Sequence, residues 1–495
     1  MIFGRVVPEH ARVAKLARIL LSTGLSALLG LAVVGAVLYL RFLGSGPQLE
    51  PWHRLVLEEE FTADRAASIT TLEDYQALED RLFRELEQRI YRNTGDAIAG
   101  GFNRYQAGSR SDPRVWPVNW NRSFEFGSAA RAPAAVLLLH GLTDSPYSLR
   151  ALGEHLAGRG FWVLGLRLPG HGTAPSGLLS FEIEDMQAAV RLAMREMRSR
   201  LPEDRPIYIV GYSNGATLAV DYSLDLLEGE PLPKPAGLVL LSPALGISPL
   251  AFVGRVKTGL SHLPGLGRAA WQQVEKEYDP YKYSSFSLHA GGEVQRLAQR
   301  IAARIARMTR AGPLRGFPPV IAFLSTVDAT VRAEAVVDVL FEHLDAEGHE
   351  LVLFDVNRLA DAQPLLVNDP GPLTQRLVET AGRTYALSVV TNAGPGTPSV
   401  VERRSEPGQS GQAVRLLGLA WPRTVFSLSH VALPFPPDDP LYGYAAAEAG
   451  HIQLGRVEAY GENGVLTVPG WLLTRQRSNP FYEYLVERVD RFTGR

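Results

Sequence analysis

The chain has 495 residues, with 50 Lys and Arg against 52 Asp and Glu, a formal net charge of -2 at pH 7, and no cysteine. That length allows a sizeable core, and a near-neutral surface of mixed sign gives no electrostatic basis for binding nucleic acid or another polyanion. Without cysteine there is no disulfide framework, no thiolate metal site and no cysteine nucleophile. No repeat of fixed period is present, which argues against a solenoid or propeller.

The N-terminus departs from ordinary soluble sequence. Residues 19–40, ILLSTGLSALLGLAVVGAVLYL, carry no charge, and a helix of that length crosses a bilayer core. Arg5, Arg12, Lys15 and Arg18 precede the run, while only Arg41 and Arg54 follow closely. This bias predicts a basic cytoplasmic tail (1–18), a transmembrane helix (19–40) and a remainder sent across the membrane. A cleaved signal peptide is the rival, but the apolar core is long for one and no clean A-x-A-like site follows it.

Residues 41–130 read as a juxtamembrane segment. Within TTLEDYQALEDRLFRELEQRIY, Leu72, Tyr75, Leu82, Leu86 and Ile90 recur near helical spacing, and Thr70 with Glu73 suits a capping box. The stripe is expected to pack on the main domain. SDPRVWPVNWNRSF (111–124) reads as irregular chain lying against the core.

From residue 134, short apolar runs alternate with helical patterns. AAVLLLHG (134–141), FWVLGLRL (161–168), PIYIVGYS (206–213) and GLVLLSPA (237–244) read as buried strands, with helices over 148–157, 183–200 and 216–227. The alternation predicts a mostly parallel sheet with helices on both faces and a ligand site beyond the strand carboxyl ends. It stops across 246–316, where Val294, Leu297, Ile301, Ile305 and Met308 form one amphipathic stripe. That insertion is expected to be a lid. The core resumes over 317–495, with a strand at 318–328, a helix at 333–344 and a strand at 349–356. An insertion at 357–422 contains one strand-like run (386–394) and is expected to leave the sheet, and a strand over 423–435 runs into His430.

IVGYSNGAT (209–217) sets Ser213 between Gly211 and Gly215. G-x-S-x-G alone is a weak signal, but here a buried strand precedes it and an amphipathic helix follows, the strand–turn–helix context of a nucleophile elbow. The bland alternative is a serine capping that helix.

Together with LLLHGLTDSPYSLRALGEHLAGRGFWVLGLRLPGHGTAP (137–175), VGYSNGA (210–216), STVDATV (325–331) and SLSHVALPF (427–435), this motif resembles the α/β-hydrolase fold family. The likeness is to its bacterial carboxylesterase, monoacylglycerol lipase and lysophospholipase-like group, over residues 134–245 and 318–435. The implied chain order Ser…Asp/Glu…His leaves His430 and His451 as bases, and His430 is preferred because a strand leads into it. Asp328, after VIAFL, matches the family's acid position; Asp355, ending LVLFD, is the rival. The longer than usual spacing between Asp328 and His430 keeps both open. The residue after the nucleophile, Asn214, offers one oxyanion N–H, and by resemblance Leu142 offers the other. His140 and His171 read as loop-bracing residues, since neither has metal-ligand spacing with another His or carboxylate. No metal or cofactor is expected.

The apolar N-terminal run and the resemblance together imply a membrane-anchored serine hydrolase acting on carboxylic esters such as acylglycerols or lysophospholipids. Its setting would be a bacterial inner membrane, with the catalytic domain outside the cytoplasm. Peptide or amide cleavage, acyl transfer, and a non-catalytic envelope scaffold are the alternatives; no protein partner is legible.

Overall fold

The computed structural model describes residues 9–44, 47–95, 101–246, 267–328, 330–346, 348–359, 369–380, 382–394, 396–409, 411–444, 451–455 and 475–494. The uncharged run lies within a single helix, α1 (Glu9–Gly44). Its stretch Leu21–Arg41 is long and apolar enough to cross a membrane, and none of it is buried against the rest of the protein.

A one-turn helix, α2 (Pro51–Arg54), and a longer one, α3 (Leu72–Arg89), attach the following segment to the core. Leu72, Tyr75, Leu78, Leu82 and Leu86 are buried along one face of α3, as the spacing predicts. The capping box sits one residue later than expected. Thr71 Oγ1 accepts from the Asp74 N–H, and the Asp74 carboxylate accepts from the Thr71 N–H. Behind α3 the fully buried Arg167 guanidinium pairs with Glu60 at 2.8 Å and with Glu79 at 2.9 Å.

The main sheet has ten strands. In chain order these are β1 (Phe124–Phe126), β2 (Ala135–Leu139), β3 (Trp162–Leu166), β4 (Ile207–Tyr212), β5 (Gly237–Leu241), β8 (Val320–Ser325), β9 (Glu350–Phe354), β10 (Ala386–Asn392), β11 (Ser399–Ser405) and β12 (Ala413–Ala420). Two short strands, β6 (Trp271–Gln273) and β7 (Phe286–Ser287), pair separately. The spatial order in the main sheet is β1-β3-β2-β4-β5-β8-β9-β10-β11-β12. Every pairing from β3 to β10 is parallel, while β1, β11 and β12 run antiparallel to their neighbours. Strands β2, β3, β5, β8 and β9 are buried at every position, which is why they read as unbroken apolar runs.

Helices cover both faces. The remaining ones are α4 (Arg150–Gly158), α5 (Ile183–Arg200), α6 (Asn214–Leu227), α7 (Leu288–Met308), α8 (Ala333–Val339), α9 (Gly371–Glu379) and α10 (Tyr482–Phe492). One core cluster joins the sheet to residues of α3, α5, α6, α7 and α8. The other holds Leu152 and Leu156 of α4 together with Tyr484, Leu485 and Val489 of α10.

Three expectations are corrected. The 357–422 segment does not leave the sheet: β10, β11 and β12 extend it by three strands. Residues 423–435 form turns and a short 3-10 helix (His430–Ala432), not a strand. The outer edge they would have joined is taken by β12, so Leu428, Ala432 and Leu433 are buried directly in the core. Finally, the amphipathic helix assigned to the lid, α7, belongs to the helical layer. Its apolar stripe packs into the core, and Arg304 pairs with Asp221, Asp225 and Glu228 of α6 or its C-terminus at 2.7–2.8 Å. Residues 247–266 of that segment lie outside the described residues.

Candidate active site

β4 ends at Tyr212 and α6 begins at Asn214, leaving Ser213 alone at the turn with φ 51° and ψ −113°. A non-glycine residue there stores roughly 1–3 kcal/mol of backbone strain. The surrounding bonds hold it in place: the Ser213 N–H donates to the Leu241 carbonyl at 2.8 Å, and its own carbonyl accepts from the Thr217 N–H at 3.1 Å. Both flanking glycines are sterically required. A Cβ on Gly211 would lie 2.4 Å from Ala216 Cα, and one on Gly215 would lie 2.1 Å from the Leu139 carbonyl oxygen.

The loop after β2 packs against this turn. A Cβ on Gly141 would stand 3.3 Å from Ser213 Cβ, so the residue next along, Leu142, enters the loop beside the serine. The Leu142 and Asn214 N–H groups make no backbone hydrogen bond among the described residues. His140 braces this loop: Nδ1 contacts the Gly141 carbonyl at 2.9 Å, and Nε2 accepts from the Leu168 N–H at 3.0 Å. Burial, then the neighbouring His171, pushes the His140 imidazole well below its ordinary value. His171 contacts the Pro169 carbonyl at 2.9 Å, and burial lowers it to about 4. Elsewhere, the carboxylates of Glu182, Glu184 and Glu293 converge, but Arg296 is ion-paired to all three.

His430 stands near Tyr212, the residue before Ser213, with the two ring centroids 6.5 Å apart. Its Nδ1 is 3.1 Å from Asp328 Oδ1, and the Asp328 side chain is 1% exposed. The same carboxylate oxygen accepts from the Thr330 N–H at 2.8 Å and the Val331 N–H at 3.0 Å. Burial alone would raise the Asp328 carboxyl. The hydrogen bond and charge of His430, with the two N–H groups, outweigh it and hold the acid below its ordinary value. His430 is also lowered: burial dominates, Asp328 opposes it, and the charges of Arg475 and Lys282 add to it. A buried carboxylate beside Nδ1 favours the tautomer with its proton there, leaving Nε2 as the basic atom.

The rivals are engaged elsewhere. Asp355 pairs with Arg358 at 2.9 Å and accepts from Thr391 Oγ1 at 2.8 Å. His451 stacks on Trp116 with ring centroids 4.3 Å apart. Two further groups at the site carried no sequence signal. Arg475 places Nη2 3.2 Å from His430 Nδ1 and donates from Nε to Ser429 Oγ at 2.7 Å. Lys282 pairs with Asp144 at 3.2 Å, and burial pushes the Asp144 carboxyl up to about 6 against the pull of that lysine.

A family model described as serine aminopeptidase S33 matches residues 130–356. A thermostable monoacylglycerol lipase from Bacillus sp. strain H-257 is 27% identical over 247 residues, covering 48% of this chain and 89% of the lipase. The chain is a serine hydrolase of the α/β-hydrolase fold. Among solved structures similar to this hydrolase is the Paleococcus ferrophilus monoacylglycerol lipase, at 22% identity, 47% and 88% coverage of the two chains, and TM-score 0.36. Another comes from work on the metagenome-derived lipolytic enzymes LipS and LipT, at 21% identity, 48% and 88% coverage, and TM-score 0.37. In this hydrolase the matched segment takes in Ser213, Leu142, Asn214, Asp328 and Asp355, whereas His430 and Arg475 lie beyond it.

Proposed function

We propose that the hydrolase cleaves carboxylic esters through an acyl-enzyme on Ser213. The observation that carries this reading is the buried Asp328–His430 contact near Tyr212, the residue that precedes a strained serine at a strand–helix turn. Ser213 Oγ attacks the ester carbonyl carbon while His430 Nε2 takes its proton. Asp328 keeps Nδ1 protonated and stabilises the imidazolium that forms. The tetrahedral oxyanion is held by the Leu142 and Asn214 N–H groups, each donor contributing about 3–4 kcal/mol. Imidazolium then protonates the departing alcohol, and water, deprotonated by His430, releases the acid and restores Ser213.

The similarity to a monoacylglycerol lipase supports a long-chain acylglycerol, or a related lipid ester such as a lysophospholipid, as substrate. The unburied apolar stretch of α1 supports a membrane anchor. The basic residues before it favour a cytoplasmic N-terminus and a catalytic domain outside the inner membrane of a bacterium. The description of the matching family favours one second reading, peptide or amide cleavage on the same residues. Full-length protein in detergent is expected to hydrolyse p-nitrophenyl butyrate and to become inactive on Ser213→Ala. Equal rates for the two proteins reject the assignment, and faster turnover of dipeptide amides than of esters selects the second reading.

A further inference from the structure

The segment leaving α1 joins the fold at a particular edge of the sheet. Only residues 45–48 separate Gly44, the last residue of α1, from Leu49, which packs on Ala270, Trp271 and Val274. Chain of that length reaches at most about 20 Å, so the folded domain cannot drift far from the end of the helix. Trp52 then stacks on Tyr105 with ring centroids 5.0 Å apart, and Leu55 accepts at its carbonyl from Ser176 Oγ at 2.6 Å. The Glu50 N–H occupies His53 Nδ1 at 3.0 Å, so His53 Nε2 donates to Ser285 Oγ, also at 3.0 Å.

Of the groups contacted, Ser176 follows β3, Ala270, Trp271, Val274 and Ser285 follow β5, and Tyr105 precedes β1, which runs antiparallel to β3; Leu142, Ser213 and Asp328 likewise follow the carboxyl ends of β2, β4 and β8. A continuous path connects the strap to the oxyanion loop. Tyr105 donates its hydroxyl to the Thr173 carbonyl at 2.9 Å, and the Thr173 N–H donates to the Tyr283 hydroxyl at 2.8 Å. The Tyr283 N–H donates in turn to the Thr143 carbonyl at 2.8 Å. Exposed apolar side chains occur on the same side. Phe102 (50% exposed) precedes Tyr105 by three residues, and Val118 (46% exposed) accepts at its carbonyl from Tyr281, which stacks on Tyr147 just after the oxyanion loop. Val115 is 41% exposed on the same loop.

We infer that this edge of the sheet faces the bilayer crossed by α1, and that residues 49–57 act as a short strap holding it there. The enzyme would then take long-chain esters directly from its own membrane, with Phe102, Val115 and Val118 resting on the lipid surface. The inference rests on the ester-hydrolase and anchor readings above. It adds the orientation of the site and the route by which substrate arrives.

The test uses full-length protein reconstituted in phosphatidylethanolamine/phosphatidylglycerol vesicles that also carry 1-oleoylglycerol, with p-nitrophenyl butyrate as the water-soluble comparison. A flexible Gly/Ser linker of about 30 residues between Gly46 and Pro47 spreads the domain over roughly 30 Å and removes its fixed orientation. It is expected to lower oleoylglycerol turnover by about fivefold or more, with butyrate turnover within about twofold of the parent. The double variant Val115→Glu/Val118→Glu, which leaves the tether intact, is expected to shift the ratio in the same direction. Unchanged ratios in both variants overturn the inference while leaving ester hydrolysis by Ser213 standing. A parent protein that hydrolyses neither ester overturns the hydrolase reading, and the inference with it.

Discussion

Asp328 Oδ1 lies 3.1 Å from His430 Nδ1, whereas the other late-strand carboxylate, Asp355, is bound to Arg358 and Thr391. The two aspartates follow neighbouring parallel strands, β8 and β9, and differ in what the chain sets against them. This contrast makes the first prediction sharp. Asp328→Asn is expected to lower kcat by about 10⁴-fold, because the amide no longer selects the Nδ1–H tautomer or stabilises the imidazolium. Asp355→Asn is expected to stay within a few-fold of the parent. Steady-state kinetics on p-nitrophenyl butyrate separates the outcomes, and the reverse pattern would move the acid to Asp355.

The pH profile should report the environment of His430. On the proposed mechanism the reaction needs the neutral imidazole, and burial holds this ring below the ordinary value of 6.5. As pH falls, kcat/KM is therefore expected to hold past 6.5 and to decline only at lower pH. The charge of Arg475 disfavours the imidazolium, so Arg475→Met removes a depressing influence and moves the acidic limb to higher pH. A limb that stays in place in Arg475→Met would mean that the guanidinium does not act on the ring.

Gly215, in the turn around Ser213, has its own signature. In Gly215→Ala the new Cβ meets the Leu139 carbonyl oxygen at 2.1 Å, which is backbone and cannot rotate away. A loss of at least about 2 kcal/mol in urea unfolding is expected, with activity falling alongside. Gly292→Ala, in α7 where an added Cβ meets nothing within 4 Å, is the control and is expected to gain about 0.5–1 kcal/mol.

Arg167 tests how firmly the segment after α1 is tied to the core. Its guanidinium is fully buried between Glu60 and Glu79, and Arg167→Met would leave two carboxylates without their counter-charge. A destabilisation of about 3–5 kcal/mol is expected in chemical denaturation. Adding Glu60→Gln and Glu79→Gln to that variant is expected to recover part of it, since the uncompensated charges are then gone.

What could be read in advance follows the range over which each signal acts. The buried strands announced themselves as unbroken apolar runs, and α5 as a 3.6-residue stripe whose ends matched residue for residue, because both patterns are local and repeat within a few residues. The glycines around Ser213 were legible for the same reason, since the turn that needs them is only a few residues long. The apolar stretch within α1 needed no tertiary partner to be recognised. Other features depended on which distant segments meet. The run at 423–435 looked like a strand until β12 took the sheet edge, and α7 looked like a lid helix until Asp221 and Asp225 of α6 proved to be the partners of Arg304. The approach of Asp328 to His430, and of Arg475 to the same nitrogen, likewise joins residues far apart in the chain. Local pattern specifies an element and the face it must bury. Which other element covers that face is set by packing among all of them at once, and only the folded chain decides it.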